Sequence, residues 1–285
     1  MGTVLFASYA VGIAPRRRLL RFLRIVSSLV SRPIKLLFLA DLHLRGRSSA
    51  ELGDLARLTR RASSSGAQAV LLGGDIIEFD DEAPTLIPRL RESLGDFRAL
   101  CVLGNHEIEG GIRSFSNRFK GHANDPELIR DSLRKSAIEP IDRRAVELGG
   151  LQFVGLPWRR RPGTTRELVD LVSNSERPSV VLTHSPDQVW GLEPSRVVLA
   201  LCGHTHGGQI RLPLIGAKPF FLQRPIEAPS GLIEVAGVAT YVTTGWSQTI
   251  PIRFGVFPEA VLIELVPAQG LSSAGPLPRK YELLR

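Results

Sequence analysis

Cysteine is nearly absent from this 285-residue chain, and the two present, Cys101 and Cys202, both fall inside apolar runs. Two thiols in that setting read as reduced packing residues and exclude a disulfide framework. The apolar opening, Val4 to Ala14, falls short of the about 20 residues that span a bilayer. It has no basic leader before it, which argues against a secretory signal peptide, so its expected structure is a first strand. No internal repeat is visible, which excludes a solenoid. Histidine is scarce, with six in all: His43, His106, His122, His184, His204 and His206.

What is present is an ordinary globular balance, 43% hydrophobic and 22% charged, able to bury a sizeable core. The formal net charge is +8 and comes chiefly from arginine, which favours anionic partners. Five of the six histidines share one pattern: each sits at or just past the end of an apolar run. Leu36 to Ala40 leads into Asp41-Leu42-His43, and Leu100 to Leu103 leads into Gly104-Asn105-His106-Glu107. Val180 to Leu182 leads into His184, and Val197 to Cys202 into Gly203-His204-Thr205-His206. A fifth run, Ala69 to Leu72, ends in Gly73-Gly74-Asp75. Strands that deliver imidazoles, carboxylates and an amide to glycine turns place those groups on one rim, where a site can form. The mixture of oxygen and nitrogen donors suits divalent cations such as Mn (manganese), Fe, Zn or Ni. His122 lies among Gly, Asn and Asp and reads as an exposed loop residue.

From Ile34 to Leu103 the periodicity is strand, helix, strand, helix, strand, with helices over about residues 50–63 and 84–94. Repeated βα units imply a largely parallel sheet with ligands at the carboxyl ends of its strands. Further helices are expected from Pro126 to Ser136 and from Thr165 to Ser173. Strands are expected at 180–183, 197–202, 231–235, 238–244 and 260–265. Candidate ligands occur in both halves, so a single two-sheet domain is expected over residues 34–266. Residues 1–33 precede it as an N-terminal strand and basic amphipathic segment. Residues 267–285 follow as a loose tail in which Tyr281 to Leu284 can dock. In the N-terminal segment Leu19, Phe22, Leu23, Val26, Leu29 and Val30 recur at helical spacing, with Arg17, Arg21 and Arg24 on another face. That pattern suits either a helix lying on an anionic membrane or a segment docked on the core. Trp158-Arg159-Arg160-Arg161 reads either as a basic surface turn or as a clamp for substrate phosphate or nucleic acid.

A phosphodiester or pyrophosphate is anionic and repels hydroxide. Two cations about 3.5–4 Å apart neutralise it and acidify a water shared between them. The chain supplies two aspartates, one asparagine and four histidines for that task, leaving His106 to handle protons.

With those residues in order, the chain resembles the calcineurin-like metallophosphoesterases, whose signature runs D-x-H, G-D, G-N-H-[DE], a lone H, and G-H-x-H. It carries them as Asp41-Leu42-His43, Gly74-Asp75, Gly104 to Glu107, His184 and Gly203 to His206. The stretches Gly203 to Pro213, Pro251 to Phe254 and Pro258-Glu259 are similar to a bacterial branch of small phosphodiesterases that includes membrane-associated and lipid-nucleotide enzymes. So is Tyr9 to Pro15. The resemblance implies an α/β fold, a four-layer α-β-β-α sandwich of two mixed sheets flanked by helices. It implies that Asp41, His43, Asp75 and His206 hold one metal ion. Asp75, Asn105, His184 and His204 would hold a second, with Asp75 bridging. His106 would be catalytic, stabilising the pentacovalent phosphorus or protonating the leaving oxygen. Glu107 would stand behind the ligands and orient an imidazole. After Gly74-Asp75 comes Ile76-Ile77-Glu78, where phosphoprotein phosphatases of this superfamily carry Asp-Arg-Gly. A phosphoprotein substrate is therefore disfavoured.

The function expected is a dimetal phosphoesterase acting on a phosphodiester or pyrophosphate, with a lipid-linked nucleotide such as UDP-2,3-diacylglucosamine as substrate. The arginine stripe and the apolar stretch Leu214 to Leu222 favour a greasy molecule. A nuclease or cyclic-nucleotide phosphodiesterase is the alternative within the enzyme class. A non-catalytic nucleic-acid or membrane-binding relative is the alternative outside it. The expected location is cytoplasmic, peripheral on the inner face of the membrane through residues 16–30.

Overall fold

The computed structural model describes residues 8–46, 48–110, 123–211, 222 and 224–268, and the backbone of 280–283. Its first sheet grows from β2 (Ile34–Leu39), which is apolar on both faces. Successive strand side chains point opposite ways, so Leu36 and Phe38 enter one buried cluster while Leu37 and Leu39 enter another. β3 (Ala69–Gly73), β4 (Arg98–Val102) and β5 (Ile138–Pro140) follow in parallel on one side of β2. On the other side β12 (Glu259–Pro267) runs antiparallel to β2. β1 (Leu19–Ser27) runs parallel to β12, and β13 (Lys280–Leu283) antiparallel to β1. The order is β13-β1-β12-β2-β3-β4-β5.

A second sheet has the order β10-β11-β9-β8-β7-β6. Its centre is three parallel strands, β7 (Leu151–Leu156), β8 (Ser179–Thr183) and β9 (Val197–Cys202). β6 (Ala145–Leu148) makes a hairpin with β7 across Gly149-Gly150, both at positive φ. β10 (Gly231–Val235) and β11 (Val238–Val242) form the other edge.

The two sheets pack face to face through Ile34, Leu36, Phe38, Leu71, Phe153, Val180, Leu182, Leu201 and Ile263. The helices Ser49–Ser64, Ala83–Leu94 and Pro126–Lys135 cover the outer face of the first sheet through Leu52, Leu55, Leu90, Ile129 and Leu133. The helix Arg166–Ser173 covers the second with Leu168 and Val172. The architecture is the expected four-layer α-β-β-α sandwich, and parallel strands from both sheets end at the same rim.

The N-terminal segment departs from expectation twice. Ser8–Ile13 forms a π-helical turn in place of a strand. Leu19–Ser27, read as an amphipathic helix, is strand β1. Its arginines face carboxylates of β12: Arg24 lies opposite Glu264 with Nε to Oε2 at 2.6 Å, and Arg21 reaches Glu259 at 2.9 Å. Leu20 joins the helix-facing cluster and Leu23 the inter-sheet cluster. A stripe that looks helical by spacing thus satisfies both faces of a strand, and it offers no basic helix to a membrane. In the tail, Lys280–Leu283 docks on β1. His122 and residues 214–221 lie outside the described residues. No helix among the described residues is long and apolar enough to cross a membrane.

Candidate metal centre

Each donor stands one to four residues beyond a strand. Asp41 and His43 follow β2, Asp75 follows β3, Asn105 follows β4, His184 follows β8, and His204 and His206 follow β9. The turns that aim them are strained. Nine non-glycine residues have positive φ among the described residues, and five are Asp41, His43, Asp75, His204 and His206, at 46° to 73°. Such conformations cost about 1–3 kcal/mol each and persist only where surrounding structure fixes them. The fixing bonds are visible: the His106 amide donates to Asp75 Oδ1 at 2.9 Å, and the His204 amide to Asp41 Oδ1 at 3.0 Å.

Asp75 Oδ2 is the hub. It lies 3.3 Å from His184 Nε2 and 3.8 Å from both His43 Nε2 and His106 Nε2. His43 Nε2 is 3.3 Å from His206 Nε2, which is 3.9 Å from Asp41 Oδ1. His184 Nε2 is 3.0 Å from Asn105 Oδ1 and 3.2 Å from His204 Nδ1. Asp41, His43 and His206 form one group whose ligand atoms lie within 4.8 Å of one another, and Asp41, Asp75 and His184 form another. All seven residues that sequence reasoning named therefore come together.

The donor chemistry fits cations. A neutral His184 gives its Nδ1 proton to the Gly73 carbonyl at 2.8 Å, so its Nε2 lone pair faces an amide oxygen, a carboxylate and another ring. His43 likewise directs Nδ1 at Glu78 Oε2, 3.0 Å away, and turns its Nε2 lone pair on His206. Lone pairs converging on lone pairs need positive charge between them. Without a cation the rings supply it. Burial disfavours the charged form of His184, yet Asp75 overrides it and raises the pKa to about 9. Burial likewise opposes charge on His106, and Asp75 and Glu78 raise it to about 9.

One residue behaves differently from expectation, and two others emerge only in the structure. Glu107 orients no imidazole: its buried carboxylate accepts the amides of Gly104, Asp75, Ile76 and Ile77 at 2.5–3.0 Å, pinning the β3 turn to the β4 turn. The imidazole-orienting carboxylate is Glu78, fully buried, 3.0 Å from His43 Nδ1 and 3.2 Å from His106 Nδ1. Burial works against its charge, but His106 and His43 hold its carboxyl far below the usual range. Sequence reasoning also passed over Arg253. This buried guanidinium donates to Gln248 Oε1 and to the Thr244 and Ser247 carbonyls, with Nη2 3.4 Å from His206 Nδ1. Its cue was the motif Pro251-Ile252-Arg253-Phe254. Burial, with the Arg253 guanidinium acting in the same direction, pushes the His206 pKa well down and keeps that ring neutral for ligation.

On the far side, the Trp158 ring packs on His204 and His184, with centroids 5.0 and 5.8 Å apart. Its Nε1 donates to Glu109 Oε1 at 2.8 Å, and Arg160 pairs with the same oxygen at 2.9 Å. Trp158 therefore walls the centre on that side.

Residues 34–208 match the calcineurin-like phosphoesterase family. The Bacillus subtilis metallophosphoesterase YkuE is 28% identical over 242 residues, 81% of this chain and 78% of that protein. The Escherichia coli phosphodiesterase YaeI is 28% identical over 239 residues, 82% of this chain and 83% of that protein. A Campylobacter jejuni metallophosphoesterase, Cj0846, is 29% identical over 184 residues, 64% of this chain and 46% of that protein.

Proposed function

The chain belongs to the calcineurin-like phosphoesterase family of metal-dependent phosphoester hydrolases, and on that premise we propose that it cleaves a phosphodiester or pyrophosphate bond. The observation that carries the reading is Asp75 Oδ2, set among imidazoles from three different strand ends. In this reading Asp41, His43, Asp75 and His206 hold one divalent cation, and Asp75, Asn105, His184 and His204 the other. Such cations, when bound, polarise phosphoryl oxygens and acidify a water. The chain's own residues do the rest. Glu78 holds His43 in fixed orientation through Nδ1 and sets its negative charge 3.2 Å from His106 Nδ1. That leaves His106 Nε2 facing the Asp75 carboxylate with a proton to give, and in this role it protonates the departing oxygen. Trp158 shields His184 and His204 from water on one side.

The relative YaeI carries the name phosphodiesterase, which supports a diester-type bond here. For the substrate we favour a lipid-linked nucleotide such as UDP-2,3-diacylglucosamine. Support comes from the apolar stretch Leu214 to Leu222 that begins eight residues after His206 in the sequence, and from the exposed Ile210 four residues before it. The Trp158–Arg161 turn favours a second reading, a nuclease, whose affinity would fall steeply with salt. Hydrolysis of a small lipid nucleotide would depend on salt far less.

Asp75→Asn tests the common core. It should abolish hydrolysis of bis(p-nitrophenyl) phosphate and lower the bound metal measured by mass spectrometry. Unchanged turnover with full metal content would defeat the assignment.

A further inference from the structure

Seven large hydrophobic side chains stand exposed among the described residues, and five of them occupy one place. Val11, Ile13, Ile210, Ile250 and Ile252 lie on three segments joined by backbone bonds. The Arg253 amide donates to the Ala10 carbonyl at 2.9 Å. The Phe254 amide donates to the Gln209 carbonyl at 3.1 Å, and the Arg211 amide to the Phe254 carbonyl at 2.7 Å. Gln209 Nε2 closes the set on the Ile250 carbonyl at 2.7 Å, and the Tyr9 and Phe254 rings meet edge to face. Ile13 and Ile250 are each 55% exposed. Single exposed hydrophobics are ordinary, whereas a cluster of this kind marks an interaction site.

The same segments border the metal centre. Gln209 follows His206 by three residues, Arg253 reaches His206, and Thr249 Oγ1 is 3.2 Å from His43 Nδ1. Their charge is one-sided. No aspartate or glutamate occurs in residues 1–40, 194–226 or 235–258, the stretches that supply all three segments. Arg16, Arg17 and Arg211 are exposed there. Arg16 bonds the Gly12 carbonyl, Arg17 lies over the Phe257 ring, and Arg211 bonds Ser230 Oγ. Among the described residues none of the three meets a carboxylate.

We propose that this isoleucine- and arginine-lined rim docks the enzyme on an anionic lipid surface, with the metal centre facing the headgroups. Aliphatic side chains ringed by arginine and free of carboxylates match acyl chains below anionic headgroups. A second copy of the chain matches poorly, because a two-fold interface would set arginine against arginine. The proposal deepens the lipid-linked reading above and rests on it for its purpose, yet docking can be measured without catalysis.

The test is flotation of the metal-loaded full chain with vesicles of phosphatidylglycerol and phosphatidylcholine, against vesicles of phosphatidylcholine alone. The wild type should float with the anionic vesicles and be released by salt. Ile250→Ser/Ile252→Ser should lower partitioning about tenfold, since each buried methylene contributes to membrane affinity. Its hydrolysis of soluble bis(p-nitrophenyl) phosphate should stay unchanged. Ile210→Ser, on a different segment, should weaken flotation in the same direction, which guards against misfolding of the double variant. A wild type that stays with the unbound protein, or variants that float equally well, would overturn the proposal. So would a wild-type dimer that the double variant converts to monomer. Flotation without any diester hydrolysis would sink the function and leave the docking intact; hydrolysis without flotation would do the reverse.

Discussion

The two sides of the metal centre are built differently. On one side His43 is aimed by a carboxylate, Glu78, whose charge also lies 3.2 Å from His106 Nδ1. On the other, His184 is aimed by a backbone carbonyl, that of Gly73, and nothing on a side chain can replace it. A carboxylate behind an imidazole raises its basicity and ties it to a second ring; a carbonyl only fixes its direction. The first side couples metal ligand to proton donor, while the second is locked into the β3 turn. Three substitutions probe that contrast, beginning with the largest effect.

His106→Ala should separate proton transfer from ligation. Turnover of bis(p-nitrophenyl) phosphate should fall about 10²–10⁴-fold, while metal content stays at the wild-type level. Loss of metal alongside turnover would make His106 a ligand and dissolve the division of labour on the Glu78 side. Next in size is Gly74→Ala, which attacks the backbone-locked side. Gly74 has φ +86°, and a Cβ there would stand 2.7 Å from His184 Nδ1 and 2.8 Å from the Gly104 nitrogen. Strain and displacement together should lower unfolding stability by about 3 kcal/mol in urea titration. A variant as stable as the wild type would show that the turn yields and that His184 is not held by backbone alone. Glu78→Gln keeps the shape of the carboxylate and removes its charge. Affinity for one of the two cations should drop about 10–100-fold by isothermal titration, and the other should hardly change. Equal weakening of both would erase the distinction between the sides.

Much of this was legible in the sequence because it is local. Apolar runs that stop at Asp41, Asp75, Asn105, His184 and His204 are visible in a line of letters, and parallel strands bring such ends to one rim. β1 was misread because Arg17, Arg21 and Arg24 recur at near-helical spacing. Its partner β12 lies some 240 residues away, where no local pattern shows it. Glu78 stands in the sequence only where another group carries a different motif. Its role depends on the β2 and β3 turns meeting, the bridge Leu44 to Ile77 included, and a single glutamate carries no periodicity. Arg253 was caught as part of a motif and missed as a buried cation, since charge in a sequence gives no hint of burial.

The smallest effect belongs to a carboxylate that stands outside both sides. Asp142 follows β5 and accepts the Leu103 amide at 3.2 Å, and among the described residues no imidazole pairs with it. Burial therefore prevails over Arg130 and Arg143, and its pKa rises to about 6. Glu78, with two imidazoles, moves the opposite way. The sign of the stability effect follows. A carboxyl whose folded pKa exceeds its unfolded value leaves the folded state short of stability above that range. The deficit grows as pH rises from about 4 to about 6 and persists at neutral pH. Asp142→Asn keeps the acceptor for Leu103 and removes the titration. It should stabilise the protein by about 1 kcal/mol at pH 7.5, discounted for the partial exposure of the side chain, and by nothing measurable near pH 4. A gain that is the same at both values, read from urea unfolding, would mean that packing rather than charge distinguishes Asp142. The claim that burial of an uncompensated charge raises this carboxyl would then fail.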